Sequence, residues 1–120
     1  MAKGDDIEAR LVQFAVRIIK VCTALPKSPE GRHIRGQLVR SGTAPAPNYA
    51  EGRGAESTKD FIHKLKICLK ELNEIRVWLL IVQESEMLPA NLLTDIIREC
   101  NKLCRIISAS IKTARSRISS

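Results

Sequence analysis

Residues 57–84 read STKDFIHKLKICLKELNEIRVWLLIVQE, and their periodicity decides the fold. Ser57-Thr58-Lys59-Asp60 has the form of a capping box, with aspartate in place of the usual glutamate. Phe61, Leu65, Cys68, Leu72, Ile75, Leu79 and Val82 then step by four and three, which lays one apolar stripe along a long helix. Glu84-Ser85-Glu86-Met87 closes it.

The same spacing recurs on either side. Ile7, Leu11, Phe14, Ile18, Val21 and Leu25 predict a first helix over residues 5–25, with Asp5, Asp6 and Glu8 where negative charge favours a helix start. Pro26 ends it. Ser28 as N-cap and Pro29 in the first turn predict a second helix, running to about Arg40. Pro45 and Pro47 should break or kink that helix within residues 41–47, because proline has no N–H to give. A short helical piece is expected at 47–51 before Gly52 and Gly54. The last helix should begin near Pro89 and run to about Arg115, on the stripe Leu93, Ile96, Cys100, Leu103, Ile107, Ile111 and Ala114. No stretch alternates with the period of two that a strand needs. The expectation is one all-α domain over residues 1–120, an antiparallel up-down four-helix bundle.

Composition agrees. The chain has 120 residues, 44% hydrophobic and 28% charged, but only four aromatic ones: Phe14, Tyr49, Phe61 and Trp78. The core must therefore be aliphatic, and single-strand binding by base stacking is disfavoured. The acidic, polar N-terminus does not read as a signal peptide. The run Val77–Val82 is too short to span a bilayer. A cytoplasmic protein without membrane partners is expected, its four cysteines reduced.

Three helices carry more apolar residues than one stripe requires. Ile67, Val77, Trp78 and Ile81 lie off the third stripe, Val12, Val16 and Ile19 off the first, Ile97 and Ile106 off the last. They read either as a wide core-facing stripe or as a subunit interface anchored by Trp78.

The net charge is +7. Its excess falls in the second helix, with Arg32, Arg35 and Arg40, and in the last, where Arg98, Lys102, Arg105 and Lys112 share one face. This is either a solvated surface or a phosphate-contacting one; an acidic partner such as nucleic acid is the sharper expectation. Catalytic chemistry finds no support. Cys100 and Cys104 are four apart but lack the further ligands a metal site needs, His63 has no nucleophile beside it, and Gly52-Arg53-Gly54 is no phosphate loop. The cysteines read as core, Lys64 and Asp60 as an i,i+4 pair, and Glu51 with Asn48 as polar contacts at a helix corner. No enzyme activity, cofactor or metal is expected.

The phrases Ser41-Gly42-Thr43, Asn48-Tyr49-Ala50-Glu51 and Glu56-Ser57-Thr58-Lys59-Asp60-Phe61-Ile62-His63-Lys64-Leu65 resemble, at this spacing, the family of proteins encoded in intervening sequences of 23S ribosomal RNA. The resemblance implies a four-helix bundle, often a ring-shaped homopentamer. One branch is similar to the accessory variability determinant of diversity-generating retroelements, which implies nucleic acid and a reverse transcriptase as partners. The family associates no catalytic residues with its motif; the matching positions here are Asn48, Glu51, Phe61 and Lys64. Ala44-Pro45-Ala46-Pro47 departs from the small and β-branched residues the family has there.

Overall fold

A computed structural model describes residues 3–119 of the chain. They form α1 (Lys3–Ala24), α2 (Pro29–Gly42), α3 (Pro45–Arg53), α4 (Thr58–Glu84), a single 3-10 turn at Ala90–Leu92, and α5 (Thr94–Ser119). No strand occurs among the described residues. Because α2 and α3 together make one arm, the molecule is a four-helix bundle, 51 × 25 × 21 Å.

The regular helix is interrupted at Thr43 and Ala44. Pro45 and Pro47 leave the carbonyls of Ser41 and Thr43 without their usual donors. Both intervening residues nevertheless keep right-handed backbone angles, φ −97° at Thr43 and φ −82° at Ala44. The Ala44 carbonyl accepts from both the backbone N–H of Asn48, at 3.2 Å, and its side-chain amide, at 2.9 Å. The expected short piece after Pro47 is thus a nine-residue helix that starts at Pro45. The last helix differs from expectation at both ends: the 3-10 turn takes the place of its first residues, and it continues beyond Arg115.

Local signals set the other boundaries. The Ser28 hydroxyl accepts from the Gly31 N–H at 3.1 Å, and that of Ser57 from the Asp60 N–H at 3.1 Å. After α4 the Met87 N–H reaches the Val82 carbonyl and the Glu86 N–H the Gln83 carbonyl, both at 3.1 Å. This is a Schellman turn with glutamate at the left-handed position, φ 58°, that glycine usually fills.

Side-chain pairs give the helix directions. Arg53 near the end of α3 holds Asp5 and Glu8 at the start of α1, while Arg35 near the start of α2 reaches the end of α1. Arg40 pairs with Glu71 and Glu74, and Glu51 with Lys64, so the α2–α3 arm also runs opposite to α4. The start of α4, at Thr58 and Phe61, shares a cavity with the end of α5. α1 and α4 lie on opposite corners, each packed against the α2–α3 arm and α5.

The core is the set of stripes. Every stripe residue of the first and last helices is buried, and so is that of α4 from Leu65 to Val82. Phe61 is the exception: Ile62 takes the buried position, and a side chain at Gly52 would meet the Phe61 ring at 3.3 Å. Gly42 marks the tightest helix approach, since a Cβ there would lie 2.5 Å from an Ile18 methyl.

Candidate nucleic-acid interface

α5 turns its apolar stripe inward, so Arg98, Lys102, Arg105 and Lys112 are exposed on the opposite side. Between Arg98 and Arg117 the sequence holds one acid, Glu99. It faces α1, where Arg10 grips both its carboxylate oxygens at 2.7 and 3.1 Å. Arg98 has Asp95 at 3.4 Å, a highly exposed pair of little energetic weight. At Lys102, Arg105 and Lys112 the outer face therefore carries positive charge that no acid of α5 offsets.

The arginines of α2 are placed differently. The Arg35 guanidinium donates to the carbonyls of Cys22 and Leu25, at 3.1 and 3.3 Å. The Cys22 carbonyl also takes the Leu25 N–H at 3.2 Å, and Leu25 lies just past the last turn of α1, where carbonyls lack their full helical donors, so Arg35 caps a neighbouring helix. Arg40 lies against the carboxylates of Glu71, which is buried, and Glu74. Arg32 donates to the Lys27 carbonyl at 2.8 Å and is exposed. The structure thus does not gather all seven basic residues into one surface. It adds a residue that sequence reasoning missed: Arg76 of α4 lies with Arg105 around Cys104. Its segment is acidic overall, which hides it in a count by stretches.

Cys104 is half-buried on the α4–α5 seam, and Cys100 is fully buried one turn away. A hydrogen bond from Cys100 lowers the Cys104 thiol to about 7, against burial, and Arg76 and Arg105 act in the same direction. Cys100 has one S–H, for which the Leu72 carbonyl at 3.3 Å competes; the two arginines favour the Cys104 thiolate either way. The same bond and burial push Cys100 up. Burial pushes Cys68 up to about 12. Among the described residues no three His, Cys, Asp or Glu side chains are grouped to hold a metal, and no helix is long and apolar enough to cross a membrane.

The extra apolar residues divide. Ile97, Ile106 and Trp78 pack partly onto the core. The Trp78 indole N–H donates to Glu74 at 3.1 Å, and His33 meets its ring edge-on at 5.9 Å. Ile67 is half-buried, whereas Val12, Val16, Ile19, Val77 and Ile81 are exposed.

Comparison with known proteins fits this frame. Residues 6–109 match the 23S rRNA-intervening sequence protein family. The chain belongs to that family. A search of the curated proteins finds no match. Among solved structures, a protein of unknown function from the S23 ribosomal protein family of Bacteroides thetaiotaomicron is 30% identical, with a TM-score of 0.85, over 92% of this chain and 99% of that one.

Within this intervening-sequence protein the resembling phrases do structural work. Ser41 is buried and donates to the Gln37 carbonyl at 2.8 Å, and Gly42 admits Ile18. Asn48 ties the proline break. Glu51 accepts from Lys64 at 2.7 Å, so Lys64 joins α3 to α4 rather than pairing with Asp60 along its own helix. Glu51 and Asn48 hold different partners.

Proposed function

We propose that this protein is a non-enzymatic, oligomeric binder of structured nucleic acid that contacts phosphates through the outer face of α5. The observation that carries the reading is the run of exposed Lys102, Arg105 and Lys112 with the one acid of residues 98–117, Glu99, turned away and paired. Arg76 and Arg98 extend that face. All four aromatic side chains are buried or half-buried, so no stacking platform is presented and a duplex backbone suits the surface better than a single strand. An oligomer, a homopentamer in this reading, would repeat the face around the assembly and multiply phosphate contacts. The resemblance and the exposed apolar residues support that assembly.

The test is binding of a structured RNA hairpin as a function of salt. Affinity should fall linearly on a log–log plot. The Lys102→Ala, Arg105→Ala, Lys112→Ala variant should lose affinity similarly for unrelated hairpins, with a slope shallower by roughly 2 to 3, while its unfolding free energy stays within about 0.5 kcal/mol. No binding at low salt, or unchanged binding by the variant, removes the reading and leaves a protein-binding adaptor in its place.

A further inference from the structure

At one end of the bundle the core runs out of bulk. The α5 stripe shrinks from Ile107 and Ile111 to Ala114, and beside it stand Ala109, Ser110 and Thr113. Where this end of α5 meets the starts of α1 and α4 and the end of α3, a cavity of about 690 Å³ opens. Small-molecule sites span roughly 300 to 1,000 Å³. Ile7, Phe61 and Ile106 give this one apolar walls.

The polar groups in the wall are not equivalent. The Ser57 hydroxyl accepts from the Asp60 N–H, and that of Ser110 donates to the Ile106 carbonyl at 3.0 Å. Tyr49 is only 3% exposed, yet its hydroxyl has no hydrogen-bond partner among the described residues. Among those residues no fully sealed side-chain oxygen lacks a partner, so this hydroxyl opens on the cavity that Tyr49 lines. Burial pushes the hydroxyl up, against the charge of Arg53, so it keeps its proton and serves as a donor. In an apolar wall, one such donor fixes the orientation of a bound molecule. Charge offers little else. Arg53 is held by Asp5 and Glu8, and the other charged residues of the wall, Glu56 and Arg117, are exposed and of opposite sign.

We propose that this cavity binds a small uncharged aromatic molecule whose carbonyl accepts from the Tyr49 hydroxyl, with its rings against Phe61 and Ile106. The aromatic body suits the apolar walls, and an uncharged one brings no ion to desolvate. Such a site is independent of the nucleic-acid reading above.

Prodan, an uncharged naphthyl ketone whose emission moves to the blue in apolar surroundings, is the probe. It should bind saturably, at one site per chain. Tyr49→Phe should weaken that binding roughly fivefold, the worth of one hydrogen bond. The same variant should keep its Tm or raise it, because the hydroxyl holds nothing within the bundle. Ala109→Trp and Thr113→Trp, at exposed positions of the cavity wall, should each plug the site and abolish binding. Thermal circular dichroism checks that they fold, and two plugs guard against the failure of one. The site is overturned by a parent protein that shows no saturable binding, by equal affinity in Tyr49→Phe, or by binding that survives both plugs. A Tm for Tyr49→Phe lower by about 4 °C or more also overturns it, since the hydroxyl would then have a structural role.

Discussion

The arginines of α2 and the cations of α5 look alike in the sequence and live differently in the structure. Arg35 caps α1 and Arg40 lies against Glu71 and Glu74, whereas Lys102, Arg105 and Lys112 face water. Positive charge near a helix seam is drawn into structure; positive charge opposite the core stripe stays available to a partner. A net charge counts both kinds equally.

The largest way to break this contrast is at the seam itself. Gly42→Val puts two methyls where Ile18 already sits at 2.5 Å from a bare Cβ. Overpacking of that kind should cost about 3 kcal/mol, a drop of roughly 10 °C in Tm, read by thermal circular dichroism. A Tm within 2 °C of the parent, a span of about 0.5 kcal/mol, would mean that α1 and α2 separate easily and that Arg35 is not held there by packing.

Arg35→Ala comes next. It removes a charged donor from the carbonyl of Cys22, which keeps the Leu25 N–H, and from that of Leu25 at the end of α1, and hydrogen bonds from a charged group are worth about 2 kcal/mol. Chemical denaturation should show that loss, while RNA affinity changes far less than in the α5 variant. The reverse pattern, stable but weakly binding, would move Arg35 to the functional side.

The smallest effect sharpens the α5 side. The Cys104 thiol is lowered to about 7, chiefly by its hydrogen bond from Cys100 and further by the charges of Arg76 and Arg105, so it senses the local field. A lowered thiol is ionised at lower pH, so iodoacetamide should label Cys104 before the buried cysteines, with a rate that climbs through neutral pH. Arg76→Ala removes a cation that favours the thiolate, so the labelling curve should shift to higher pH. An unshifted curve would show that Arg76 does not share the face.

The helices and the core were legible because they rest on spacing alone. Six of the seven stripe residues of α4, from Leu65 to Val82, are buried as the pattern demands. Ser28 and Ser57 cap as read. Phe61 was misplaced by one position because its neighbour Gly52 comes from another helix and offers the ring a berth. The status of the cations was not legible for the same reason. Arg40 meets Glu71 thirty-one residues away and Arg10 meets Glu99 eighty-nine away, and which charges meet depends on the register between helices, which no single-helix pattern encodes. Lys64 shows the limit most simply, since its in-helix partner Asp60 loses to Glu51.

The order of the helices around the bundle also bears on how the chain assembles. α1 meets the α2–α3 arm, the arm meets α4, and α4 meets α5, each the next in sequence; the seam between α5 and α1 is the one that joins distant parts, and it is more sparsely packed than α4–α5. Folding dominated by such local contacts is fast. The α5–α1 seam brings together the two helices farthest apart in sequence, with the Arg10–Glu99 clasp across it. The helix that carries the basic face is thus anchored mainly through α4, with the Arg10–Glu99 pair reaching back to α1.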